Sequence, residues 1–208
     1  MASVDRLTLG FDTSAAHCAA ALLSGGMVLA HRIEEMRKGQ AERLMILLQE
    51  VLAEAGVDWA ELAALGVGTG PGNFTGTRIS VAAGRGLSLG LDIPCEGVSL
   101  PDAYADGRDV VVCLPAPRDL VHLAYRGEVI VMPPTGLPAN WLAPLTGPAA
   151  ERVATATGRA VLPTPDLAPQ IARLAACRAG PDRPRAAPIY LRPADAAPAS
   201  DLPPVILP

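Results

Sequence analysis

The chain has 208 residues, half of them hydrophobic, with 18% charged residues and a formal net charge of −4. That composition excludes wholesale disorder and provides enough apolar material for one large domain or two small lobes sharing an interface. The acidic balance also argues against a direct grip on nucleic acid, which needs clustered Lys and Arg; Arg37-Lys38 is the only basic pair of note.

Aromatic residues are scarce, with two Phe, two Trp and three Tyr, so the core has to be built from Ala, Val and Leu. Cys18, Cys95, Cys113 and Cys177 are widely spaced without a CxxC pair, which fits buried, reduced thiols in a cytoplasmic protein. Residues 1–9 lack a basic stretch followed by an apolar one, so no signal peptide is expected, and no apolar run is long enough for a membrane span.

In chain order, residues 6–11 form a short apolar strand that runs into the turn Asp12-Thr13-Ser14. Residues 18–23 and 27–33 read as two more strands joined at Gly25-Gly26. Residues 40–55 give the clearest helix, closed by Gly56. Its apolar face carries Ala41, Leu44, Leu47, Leu48, Val51, Leu52 and Ala55, while Ile46 falls in the middle of the polar face. A strand at 63–68 feeds the glycine segment 68–76, followed by a helix at 75–90 and a strand at 93–98. Strand, glycine turn, helix and strand make a βαβ unit, so part of the sheet is expected to be parallel. The second helix keeps Gly76, Gly86 and Gly90, an expensive choice unless a neighbouring backbone comes close. Another side of it brings together Arg78, Ala82, Arg85 and Leu89, which suits solvent or a protein interface.

From Tyr104 onward the texture changes, and we place the lobe boundary there, giving 1–103 and 104–208. Strands are expected at 109–114, 120–125 and 128–132, and helices at 147–158 and 166–178, among many prolines. From Gly180 the chain is rich in Pro and Ala and expected to be extended.

The chemistry can be read in two ways at each candidate site. The glycine segment could present backbone N–H groups to a phosphate, or it could be a tight strand-to-helix connection; neither the P-loop nor the dinucleotide-binding spacing is met. Asp12 could hold a metal-bound water beside a phosphate, or cap a turn with its neighbouring hydroxyls. Taken at face value, Asp12 and the loop 68–76 would make an actin-like ATPase or phosphotransferase. His17, His31 and His122 fall in or beside expected strands without metal-ligand spacing, and no nucleophile elbow occurs. We therefore assign no catalytic residue, metal or cofactor.

Phe11-Asp12-Thr13-Ser14, the run Gly70-Pro71-Gly72-Asn73-Phe74-Thr75-Gly76-Thr77-Arg78-Ile79 and the run Gly90-Leu91-Asp92-Ile93-Pro94-Cys95-Glu96-Gly97-Val98-Ser99 together resemble the TsaB (YeaZ) family. Gln40-Ala41-Glu42-Arg43-Leu44 is similar to its first helix, and Pro188-Ile189-Tyr190-Leu191-Arg192 to its C-terminal segment. The similarity covers roughly residues 5–103. It implies an actin/Hsp70-like α/β fold with a degenerate, shortened second lobe. It also implies a non-catalytic scaffold for TsaD, the homologous subunit forming threonylcarbamoyladenosine at position 37 of tRNAs reading ANN codons. TsaE, an ATPase, is a further implied partner, self-association is plausible, and no direct tRNA contact is expected. On this resemblance the partner interface comprises Gln40, Arg43, Ile46, Leu47, Glu50, Arg78, Ala82, Arg85 and Leu89. Asp12, Gly70, Gly72, Thr75 and Gly76 would be a vestigial nucleotide loop. Gln40 stands where relatives often have His, and Pro115-Ala116-Pro117-Arg118 where Asp-Ala-Arg is usual.

Overall fold

The computed structural model describes residues 6–180 and 183–191. Strands β1 (Leu7–Asp12), β2 (His17–Ser24) and β3 (Met27–Glu35) form an antiparallel meander, with Gly25 supplying the positive φ of the β2–β3 turn. Helix α1 (Gln40–Glu54) follows and ends where Gly56 adopts φ 67°. Strand β4 (Ala64–Gly68) pairs parallel to β1, helix α2 (Phe74–Leu91) crosses over, and β5 (Cys95–Val98) pairs parallel to β4. The sheet order is β3-β2-β1-β4-β5. A short helix α3 (Leu100–Ala105) leads away from it.

A second sheet repeats this plan in reduced form. Strands β6 (Val111–Pro115), β7 (Val121–Tyr125) and β8 (Glu128–Met132) make another antiparallel meander, and β9 (Leu145–Thr146) pairs parallel to β6, in the order β8-β7-β6-β9. Helix α4 (Ala150–Thr157) follows β9 as α2 follows β4. Between β8 and β9, Pro133, Pro134 and Pro138 leave only a 3-10 turn (Pro134–Gly136) where the first lobe has α1. Proline deletes the amide donors and crowds the preceding turn, so a helix cannot propagate there. The second lobe is small for that local reason.

Alternation along the strands decides what lies on each face of the first sheet. Leu9, Phe11, Cys18, Ala20, Leu22, Leu65 and Val67 point to one side and pack with Leu44, Leu47, Leu48, Val51 and Leu52 of α1 and Val81 of α2. Ala19, Ala21 and Leu23 point to the other, against Ala168 and Ala172 of helix α5 (Leu167–Arg178). Here the structure differs from the expected division at Tyr104. Helix α5 packs on β1, β2 and β4 of the first sheet, although it comes late in the chain. Gly10 and Gly66 make this possible: a β-carbon on Gly10 would lie 2.5 Å from the Ala172 nitrogen, and one on Gly66 2.7 Å from the Ala175 side chain.

Residues 192–208, the greater part of the Pro-rich end, lie outside the described residues, as do 1–5. Cys18 and Cys113 are buried and Cys95 half-buried, whereas Cys177 is exposed, contrary to the reading of all four as buried thiols. Burial raises the Cys18 thiol to about 11 and the Cys95 and Cys113 thiols to about 12, so these groups stay protonated at neutral pH.

Candidate functional site

The turn after β1 and the glycine turn before α2 are built against each other. The Thr13 hydroxyl donates to the Gly76 carbonyl at 2.7 Å, and the Asn73 amide donates to the Ser14 carbonyl at 2.6 Å. Asn73 caps α2, its side-chain oxygen accepting from the Gly76 amide at 2.9 Å. A β-carbon on Gly76 would overlap the Thr13 carbonyl oxygen, and one on Gly72 the Ser14 carbonyl oxygen. Gly70 has φ 87°, a backbone conformation that suits glycine. Gly72 and Gly76 are therefore required by contact between two segments of the chain itself and Gly70 by its backbone conformation, as in a tight strand-to-helix connection. Thr75, at the same turn, is exposed.

Asp12 is fully buried, and its Oδ1 accepts from the Ser14 amide, the Ser14 hydroxyl and His17 Nε2, each at 2.9 Å. The first two bonds form the turn cap weighed for this residue. The third was not legible: His17 opens β2 and meets Asp12 only because the β1–β2 hairpin folds it back. No spacing rule announces that contact. Among the described residues, no group of three or more His, Cys, Asp or Glu side chains could hold a metal ion.

A cleft of about 470 Å³ lies between the lobes, bordered by Ser14, Gly72 and Asn73 on one side and by Pro115, Ala116 and His122 on the other. Gln40, at the start of α1, lines it too, with its side-chain amide held by the Met36 carbonyl at 3.1 Å. Asp12 is not part of its wall.

Helices α1 and α2 lie together on one face of the first sheet, and their outer sides carry most of the residues expected at an interface. Ile46 is 54% exposed and Leu89 86% exposed, and Ala82 is exposed between the two arginines of α2. Met45, at 43%, is a further exposed apolar side chain of α1, about 100° round the helix from Ile46 and at the edge of the face that packs on the sheet. Leu47 does not belong to this surface: it is fully buried under α1, on the side facing the sheet. Arg43 and Glu50 are half-buried in an internal network. Arg43 bonds Glu34 of β3 and Glu50, and Glu50 also pairs with Arg32. Those bonds hold the Glu34 and Glu50 carboxyls below their ordinary value and raise that of Arg43.

Both α2 arginines are engaged by residues 183–191. Arg78 Nε donates to the Tyr190 hydroxyl at 2.7 Å, with its guanidinium 3.9 Å from the centre of the Phe74 ring. Arg85 Nε donates to the Ala186 carbonyl at 2.7 Å.

Two lobes of like strand order, facing each other across a cleft, define an actin/Hsp70-like α/β fold with a shortened second lobe. Residues 28–132, half of the chain, match a family model described as TsaD: tRNA N6-adenosine threonylcarbamoyltransferase. The tRNA threonylcarbamoyladenosine biosynthesis protein TsaB of Escherichia coli (strain K12) is 36% identical over 99 residues, covering 48% of this chain and 42% of that protein. TsaB of Bacillus subtilis (strain 168) is 35% identical over 101 residues, covering 48% and 44%. A crystal structure from Pseudomonas aeruginosa, described as an uncharacterized protein with similarity to peptidase YEAZ, superposes with TM-score 0.73 at 26% identity, covering 90% of this chain and all of that one. The chain belongs to the TsaB/YeaZ family. It spans about two-fifths of the length of the curated relatives it matches.

Proposed function

We propose that this chain is a non-catalytic subunit in the formation of N6-threonylcarbamoyladenosine at position 37 of tRNAs reading ANN codons, where it binds and activates the transferase TsaD. The observation that carries this reading is the outward-facing apolar surface of α1 and α2, on which Ile46 and Leu89 stay exposed although the sheet beneath is fully packed. Large exposed apolar residues on adjacent helices suit docking against another protein's helices. The match of residues 28–132 to the transferase model supports a partner of the same fold, one that can offer an equivalent helix pair. A second copy of this chain could use that surface in the partner's absence, and TsaE would join the assembly rather than this chain alone. With a net charge of −4, the chain leaves the hold on tRNA to its partners.

The alternative, an actin-like ATPase or phosphotransferase, draws less support. The Oδ1 of Asp12 is engaged by Ser14 and His17, Asp12 does not line the cleft, and Gly72 and Gly76 face backbone carbonyls rather than open space. The test is reconstitution. Threonylcarbamoyl transfer to tRNA by TsaD and TsaE should depend on adding this chain, and the chain alone should transfer nothing. Turnover by the isolated chain, lost on Asp12→Ala, would refute the scaffold reading.

A further inference from the structure

Both guanidinium groups on the exposed side of α2 donate hydrogen bonds to residues 183–191, and that of Arg78 also stacks on Phe74 of its own helix. This segment has no regular secondary structure and is anchored at four points. Arg183 makes a bidentate pair with the buried Glu96 carboxylate of β5, at 2.6 and 3.0 Å. Ala186 is buried and takes the Arg85 hydrogen bond on its carbonyl, and the Ile189 amide donates to the Thr69 carbonyl at 2.8 Å. Tyr190 lies 4.9 Å from the Phe74 ring, centre to centre, and accepts from Arg78. An arginine on a helix surface otherwise samples many rotamers, and ordering it costs binding free energy. Each of these two is bonded through Nε, which fixes the plane of the guanidinium before any partner arrives.

We infer that residues 183–191 act as a strap that presets the α2 docking face, so that strap closure and binding of the transferase helix pair favour each other. This inference rests on the function proposed above and adds a means of regulation to it. Whatever loosens the strap weakens the complex, and the complex in turn holds the strap shut, because coupling between two equilibria is reciprocal. The Ile189 amide reports strap opening, since its partner, Thr69, lies at the end of β4 and not on the docking face.

The experiment uses the full chain and purified TsaD. Tyr190→Ala removes one anchor on the exposed side. Arg183→Ala combined with Glu96→Gln removes another without leaving a buried carboxylate unpaired. Both should bind TsaD at least tenfold more weakly than wild type, with melting temperatures showing that each still folds. Addition of TsaD to wild type should slow hydrogen exchange at the Ile189 amide several-fold. Affinities within twofold of wild type for both variants would overturn the inference. So would weakened binding with Ile189 exchange unchanged by TsaD, which would make Tyr190 a simple contact. Failure of the wild-type chain to bind TsaD at all would instead overturn the proposed function, and the strap's role with it.

Discussion

Thr13 and Gly76 are 63 residues apart, yet the Thr13 side chain donates to the Gly76 carbonyl while a β-carbon on Gly76 would overlap the Thr13 carbonyl oxygen. The first turn of α2 is thus seated directly on the β1–β2 turn, and one glycine hydrogen is the clearance between them. Gly86, ten residues or nearly three turns further along the same helix, faces nothing within 4 Å.

This contrast makes a paired prediction. Gly76→Ala should destabilise the fold by roughly 3 kcal/mol or more, because backbone rather than a flexible side chain has to move. Gly86→Ala should stabilise the isolated chain by up to about 1 kcal/mol through helix propensity, while weakening any complex that needs close helix approach. Denaturant titrations of both variants, with a binding measurement on the second, check the pair.

Asp12 yields a second expectation. Removing its carboxylate orphans the Ser14 amide, the Ser14 hydroxyl and His17, so Asp12→Ala should cost about 1–3 kcal/mol of stability. Calorimetric titration of wild type with Mg-ATP should show no tight binding, and tight binding lost on Asp12→Ala would restore the nucleotide reading.

Acid should dissolve the Arg43 network. Its hydrogen bonds depress the Glu34 and Glu50 carboxyls below 4.5, so the stabilisation is present above that value and disappears as pH falls through the folded-state values. All three side chains are partly exposed, so solvent screening keeps the effect small. Carboxyl titration by NMR should show both glutamates moving up toward 4.5 in Arg43→Ala, and the stability difference between that variant and wild type should vanish in strong acid.

The two sides of α1 should answer differently to truncation. Leu48 is fully buried and Leu48→Ala should cost about 2–5 kcal/mol, whereas Ile46→Ala at an exposed position should change stability by less than about 0.5 kcal/mol. Urea midpoints distinguish the two.

The first lobe was largely legible because its signals are local. Apolar periodicity marks α1, Gly56 ends it, and the glycine turn announces the parallel crossover to β5. The destination of α5 was not legible: its apolar stripe shows that it packs, but not on which sheet. The cue lay in Gly10 and Gly66, glycines inside strands, which mark a close backbone approach without naming what approaches. At the candidate site, exposure of Ile46 and Leu89 followed from the helix wheel, whereas Leu47 failed because its position is core. The bonds from Arg78 and Arg85 to Tyr190 and Ala186 join residues about a hundred positions apart, beyond the reach of any local pattern.

The central claim is that the exposed side of α1 and α2 is a protein-binding surface, and affinity tests it most directly. Binding of purified TsaD should be measured by calorimetry for wild type and for Ile46→Glu and Leu89→Glu. Both side chains are exposed in the free chain, so the variants should fold normally. A carboxylate desolvated in the complex should weaken binding at least a hundredfold, equivalent to about 2.7 kcal/mol. Tight wild-type binding that both variants retain unchanged would contradict the claim.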